Sequence, residues 1–427
     1  MSYKDLRDWL EAARRDGELQ EVHGASWDLE MSSLAEIVAR EGKRPVPTIL
    51  FDDIPGYPKG YRTLFSMLNS PRRVARTLGI PMDDNPDLMT LLNRWRIKLR
   101  DLPLIPPKVV SSGPVQENVF TGEQIDVTKI PSIRHHELDG GRYIGTGHAI
   151  IQRDPDDGRV NLGTYRSMFI DRNRIALHMG ESQDGRYIMQ KYFERGQAMP
   201  VAVAIGMDPV LWAASITKVG ASTSEYDYAG GIKGEPMEVI EGPYTGLPLP
   251  ANAEIVIEGE CHPGEEIDEG PFGEWHGYYS NLGLESVPEP VIRVKTIMHR
   301  NNPILTCTQP SVPPKDFSYA VDFIRAATIW EVLEAARVTG VKGVWNHDEG
   351  GSRLLNVVAI KQMYAGHSKR AGLVASTMTH TGRYTIVVDD DIDPSNLSEV
   401  MWAVATRSDP DRSIQILPDC QRRRHTL

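Results

Sequence analysis

Glu269 and Glu274 bound the hexapeptide Glu-Gly-Pro-Phe-Gly-Glu, which sets two carboxylates five residues apart on backbone that a proline and two glycines keep out of a helix. Two carboxylates that share a site repel when both are ionised, so one tends to stay protonated near neutral pH and can act as a general acid. With Glu265, Glu266 and Asp268 beside them, the same residues also suit a hydrated acidic turn. Arg166 ends a second informative stretch, Asn161-Leu-Gly-Thr-Tyr-Arg, on sequence that otherwise reads as strand. An arginine there needs an acidic partner. Pairing with the 269–274 loop would hold the nearer glutamate ionised and leave the other to carry the proton. The alternative is an edge-strand arginine that reaches water.

A third stretch, Ala214-Ser-Ile-Thr-Lys-Val-Gly-Ala-Ser-Thr-Ser-Glu225, is rich in hydroxyls and small residues. With Asn161 and an acidic residue such as Glu225 or Asp184, it offers the hard oxygen ligands that Mg²⁺ or Mn²⁺ prefers, or else it is an ordinary polar loop. Other motifs are absent. Gly145-Thr-Gly-His148 lacks the third glycine and the helix of a dinucleotide fingerprint, and there is no Walker loop, HExxH or nucleophile elbow. His135, His136 and His148 have no companion at a metal-binding spacing and read as satisfied loop or core histidines.

The elements that must position these residues have α/β texture. Leu6, Trp9, Leu10 and Ala13 recur at helical spacing behind Ser2 as N-cap, and a second helix is expected over 31–41. Residues 47–51 read as a buried strand, and four prolines within 103–115 mark a linker. From 116 to 300, short β-rich runs such as 147–151, 201–205 and 254–257 alternate with Gly, Pro and Asp turns, which suits a barrel-like or sandwich sheet. Residues 321–338 form a long helical stretch able to connect two domains, and the strands 354–360 and 384–388 imply a second α/β domain.

Composition sets outer bounds. The 427 residues suffice for two or three domains, and the net charge of −11 argues against nucleic acid or an anionic membrane as partner. Any anionic ligand therefore needs local cations or a metal. Three scattered cysteines, Cys261, Cys307 and Cys420, neither build a disulfide framework nor cluster for zinc, and they point to the cytoplasm. No apolar run approaches the roughly 20 residues that cross a bilayer.

Taken together, Asn161-x4-Arg166, Ser224-Glu225 and Glu269-Gly-Pro-Phe-Gly-Glu274 resemble the UbiD family of reversible decarboxylases in order and spacing. The resemblance extends over most of the chain, including Leu6 to Leu10, Lys191 to Gly196, Met199 to Ala202, Asp389 to Asp393 and Met401-Trp402-Ala403. It implies an α/β (α+β) fold with an N-terminal α/β domain (1–112) and a central split-barrel flavin-binding domain (113–312). A linker helix (313–340) and a C-terminal α/β oligomerisation domain (341–427) follow. The implied activity is reversible non-oxidative decarboxylation of an α,β-unsaturated or (hetero)aromatic acid by cycloaddition to prenylated FMN, a cofactor made by a UbiX-like flavin prenyltransferase. A non-catalytic flavin-binding subunit and a flavin-independent metal-dependent lyase are the alternatives.

The resemblance also assigns residues. Arg166, Glu269 and Glu274 match the catalytic network, with Glu274 as proton donor, Arg166 orienting the carboxyl group and Glu269 ionised against it. Asn161, Arg166, Gln183, Ser215, Ser224 and Glu225 match cofactor-binding positions. Asn161, Asp184 and Glu225 match the ligands of a divalent ion, Mn²⁺ or Mg²⁺, while Ser215, Glu225 and the carbonyls of Ala214 and Thr217 match a potassium site. Two departures stand out: Asp184 lies where relatives commonly carry histidine, and after Cys420 the chain ends at Gln421-Arg-Arg-Arg-His-Thr-Leu427, where relatives continue into an interface tail. A homodimer or higher homo-oligomer is implied, with that tail shortened. Phe272 and Trp275 flank the acid, Trp275 as a flat apolar wall of the substrate pocket.

Overall fold

The computed structural model describes residues 3–42, 45–83, 87–145, 147–220, 222–279, 288–377 and 382–418. Leu6–Arg15 is the amphipathic helix that the spacing predicts, with Leu6, Trp9, Leu10 and Ala13 buried. Its cap is Asp5, whose side chain accepts from the amide of Asp8 at 3.0 Å; Ser2 lies outside the described residues. Glu30–Glu41 is the second helix, and Thr48–Asp52 is a strand of a four-stranded sheet with Leu19–His23, Arg62–Phe65 and Ile304–Thr306.

The centre is a nine-stranded sheet. Its path runs Arg142–Gly145, Ser167–Phe169, Arg174–Leu177, Pro288–His299, Ile255–Asp268, Met199–Ile205, His148–Arg153 and Val160–Gly163, with Asn118–Thr121 paired to Pro288–His299. This is the open, split-barrel form of the expected β domain. Strand alternation divides its contacts between two cores. Ala202 and Ala204 face one apolar cluster, whereas Val201, Val203 and Ile205 face the other. With both faces covered, each large side chain buried here contributes about 1.5–3 kcal/mol.

The proline-rich stretch is packed rather than a free tether. Lys108–Val109 pairs with Glu238–Glu241 in a three-stranded sheet, and the Pro103 and Ile105 carbonyls lie so close to Gly231 and Gly230 that any Cβ there would clash. The connecting helix is Ser318–Ala335, three residues earlier at both ends than the pattern predicts, because Arg337 takes a left-handed φ of 57° just beyond it. Arg96 clamps this helix, bonding Glu331 at 3.0 Å and Glu334 at 2.6 Å over the Trp330 ring. Val341–His347, Leu355–Ile360 and Tyr384–Asp389 then form the expected last sheet, covered by His367–Thr377 and Leu397–Arg407. The terminal segment 419–427, with Cys420 and the expected shortened tail, lies outside the described residues. No described helix is long and apolar enough to cross a membrane.

Candidate active site

Four neighbouring antiparallel strands bring distant residues to one end of the central sheet. Ser167 pairs with Leu177, Ala176 with Val291, and Asp268 with Pro288. Arg166 precedes the first of these strands, His178 follows the second, Glu289 stands at the start of the third and Glu269 follows the fourth. The amide of His178 donates to the Arg166 carbonyl at 3.1 Å, which fixes the two loops against each other.

Arg166, Glu269 and Glu274 meet as a buried triad. The Arg166 Nε donates to Glu269 Oε1 and Oε2 at 2.8 and 3.0 Å, and Nη2 donates to Oε2 at 2.6 Å. Nη1 donates to Glu274 Oε1 at 2.5 Å. The three residues are 9%, 2% and 5% exposed, so the hydrated-turn and edge-arginine readings fail. Burial alone would lower the affinity of Arg166 for its proton, but Glu269 and then Glu274 more than offset it and hold the guanidinium charged. The guanidinium bonds the two unequally: Glu269 on both oxygens, Glu274 through one.

The loop shape follows from close backbone approach. Gly270 has φ of 82°, and its Cα lies against Gly140, where an added Cβ would fall 2.3 Å from the Glu269 carbonyl oxygen. Asp139 ties the loop down, accepting from the amides of Gly273 at 2.9 Å and His136 at 3.0 Å. The Phe272 ring lies 4.7 Å from the Arg166 guanidinium and 4.5 Å from the Tyr143 ring. Phe272 is thus the apolar surface beside the triad. Trp275, expected to wall the pocket, has Lys315 and Arg353 over its ring at 5.5 and 5.0 Å.

Three further groups join the site without any local signature. Tyr143 is fully buried beside Glu269, and burial with that charge raises its phenol. His178 Nδ1 lies 2.6 Å from Glu289 Oε1, and burial pushes Glu289 up to about 7. Their sequence neighbours, Ile175-Ala-Leu177 and Pro290-Val-Ile292, announce strands, but nothing local announces that those strands pair.

The expected phosphate and metal residues gather at the other end of the sheet path. Glu225 opens the helix Glu225–Lys233, with its Oε2 accepting from the Leu162 amide at 2.8 Å. Burial first, with Asp184 adding to it, pushes its carboxyl up to about 7, which a cation alongside would reverse. Asn161 is buried on the adjoining strand, 3.5 Å from the Tyr165 hydroxyl. Asp184 opens the helix Asp184–Glu194; its half-exposed carboxylate lies 3.9 Å from Arg159. The Arg159 Nε and Nη1 are otherwise buried without a hydrogen-bond partner among the described residues, a donor set suited to an anion. Hard oxygens from Asn161, Asp184 and Glu225 beside that guanidinium fit a divalent ion and a phosphate. The Gln183 Oε1 accepts from the Gly180 amide at 2.5 Å. Ser215 Oγ meets Thr164 at 3.1 Å, the Ala214 carbonyl accepts from the Thr217 amide at 2.9 Å, and Ser224 caps the Glu225 helix through the Tyr226 amide. His135 and His148 are core histidines as expected, bonded to Ser32 and to the Tyr165 carbonyl.

The N-terminal, Rift-related and C-terminal domains of the 3-octaprenyl-4-hydroxybenzoate carboxy-lyase family match residues 10–94, 108–313 and 318–424. A phenolic acid decarboxylase of Bacillus subtilis is 32% identical over 98% of this chain and 88% of its own length. Among solved structures, an evolved dimeric form of the UbiD-class enzyme HmfF from Pelotomaculum thermopropionicum, in complex with prFMN, superposes with a TM-score of 0.87 at 27% identity, covering 97% of this chain and 92% of that one. The closed form of the vanillic acid decarboxylase of Sedimentibacter hydroxybenzoicus gives 0.84 at 29%, covering 96% and 86%. The chain belongs to the UbiD family and is a decarboxylase of the UbiD type.

Proposed function

We propose that this enzyme removes CO₂ from an α,β-unsaturated or aromatic carboxylate, phenolic acids first among them, with prenylated FMN supplied by a UbiX-like prenyltransferase. The single observation that carries the reading is the sealed Arg166–Glu269–Glu274 triad with its unequal contacts. When bound, the cofactor supplies the electron-accepting ring carbons that make loss of CO₂ feasible. The chain does the rest. Arg166, over Phe272, presents the fixed charge that orients a carboxylate. Glu269, gripped on both oxygens, keeps that guanidinium in place. Glu274, which Arg166 bonds through one oxygen, gives its proton to the carbon left by the departing CO₂. One C–C bond breaks, one C–H bond forms, and burial keeps water from competing.

Asn161, Asp184 and Glu225 would hold Mn²⁺ or Mg²⁺ against the cofactor phosphate, with Arg159 as a further anion ligand. Ser215, Glu225 and the Ala214 and Thr217 carbonyls would hold K⁺, while Gln183 and Ser224 would border the cofactor. The division at 112/113, 312/313 and 340/341 is supported by the family segments 10–94, 108–313 and 318–424. Exposed Met401, Trp402, Ile414 and Ile416 favour a homo-oligomer through the C-terminal region. Buried, unpaired Cys261 and Cys307 suit the cytoplasm. Protein co-expressed with a flavin prenyltransferase should carry the cofactor and release CO₂ from vanillate, 4-hydroxybenzoate or cinnamate. Bound flavin without CO₂ from any of these would favour the non-catalytic subunit, and activity without flavin the metal-dependent lyase.

A further inference from the structure

Every carboxylate converted to CO₂ and a C–H bond at neutral pH consumes one proton from solution, so the acid must be recharged once per turnover. The triad has little contact with water: the side chains of Glu269 and Glu274 are 1% and 6% exposed. Arg166 holds its proton permanently and relays nothing. His178 is different, with its side chain 22% exposed while Nδ1 lies 2.6 Å from Glu289, which is 5% exposed. One ligand atom each of His178, Glu289 and Glu269 falls within 4.8 Å of the others. Strand pairing fixes the group, because Glu289 and Glu269 leave neighbouring strands at one sheet end and His178 leaves the next strand over.

We propose that His178 and Glu289 form the route by which a solvent proton reaches the Arg166–Glu269–Glu274 network after each turnover. The inference rests on the decarboxylase reading above. In each cycle His178 takes a proton from water and releases one to Glu289, Glu289 passes it into the network, and Glu274 ends reprotonated. No electron pair moves and no co-reactant is needed. Glu289 faces Arg166, Arg186, Glu266 and Glu274 as well as His178 and Glu269. The balance of burial and these charges leaves it near 7, where it can both accept and release a proton at neutral pH. The same His-Glu-Glu grouping is a poor cation site, because a dication would have to take Glu269 from the three guanidinium contacts that hold it.

The test uses cofactor-loaded enzyme and the tested acids vanillate, 4-hydroxybenzoate and cinnamate, comparing wild type with His178→Ala and Glu289→Gln. The relay requires kcat to fall about 10-fold or more in both variants, with KM within about threefold. It also requires a larger solvent deuterium isotope effect on kcat and recovery of His178→Ala by added imidazole. Wild-type kcat and isotope effect in either folded variant overturn it, as does a loss in His178→Ala that imidazole leaves untouched. Should His178→Ala not fold, Glu289→Gln, which keeps shape and hydrogen bond, decides alone. Wild type that carries the cofactor yet releases no CO₂ overturns the parent reading and the relay with it, whereas active wild type with silent variants overturns the relay only.

Discussion

Glu289→Gln should make the protein relatively more stable as pH rises, an effect measurable without cofactor or substrate. Burial lifts the Glu289 carboxyl from 4.5 to about 7 in the folded chain, so the fold favours its neutral form. A group raised in this way contributes its stability fully below its unfolded value, and that contribution is lost as pH rises through the folded value. The interval from 4.5 to about 7 corresponds to about 3 kcal/mol withdrawn from the wild type between pH 5 and pH 8. Glutamine has no charge to bury and keeps an oxygen for His178, so the variant escapes that loss. Taking about 2 cal/mol/K per residue over 427 residues, about 3 kcal/mol is about 3–4 °C. Melting of apoprotein by differential scanning fluorimetry at half-unit steps from pH 5 to 8 should show the variant's Tm gaining on wild type by that amount. A Tm difference that stays flat across the range, or moves the other way, refutes the reasoning.

Three further outcomes follow from the same geometry. Gly140→Ala places a Cβ 2.3 Å from the Glu269 carbonyl oxygen and 2.8 Å from the Gly270 Cα; rigid backbone on both counts should cost about 1–3 kcal/mol and take turnover with it, and unchanged Tm and kcat would contradict the close approach. Glu225→Gln should abolish the tightening of FMN binding by Mn²⁺, read by quenching of flavin fluorescence, and equal tightening in the variant would remove Glu225 from the metal site. Arg166→Ala should lose both CO₂ release and the absorption spectrum of the mature cofactor, because Glu269 and Glu274 are left buried without their cation; a normal spectrum and rate would detach Arg166 from the chemistry.

What could be read from the chain was local. The glycines and proline of 269–274 required a fixed loop, and the helical spacing of Leu6, Trp9, Leu10 and Ala13 required the opening helix. The order of Asn161, Arg166, Glu225, Glu269 and Glu274 was enough for the family. What could not be read was pairing across the sheet: His178 and Glu289 stand 111 residues apart, and only the register of their strands makes them neighbours. The same limit governs Arg159 and Tyr143, whose roles come from what lies opposite them. The partners of Trp275 were hidden for a related reason, since Lys315 and Arg353 belong to the connecting helix region and the C-terminal segment. The prolines of 103–115 signalled irregular backbone correctly but gave no sign that Lys108–Val109 pairs with Glu238–Glu241.

The most direct test of the central claim is the rate of CO₂ release by wild type and Glu274→Gln, each purified after co-expression with a flavin prenyltransferase and assayed at equal flavin content. Both proteins should fold and bind flavin, with wild type turning over at least one of vanillate, 4-hydroxybenzoate and cinnamate. Glu274→Gln should be slower by about 10²-fold or more. Equal rates in the two proteins would contradict the assignment of Glu274 as the proton donor.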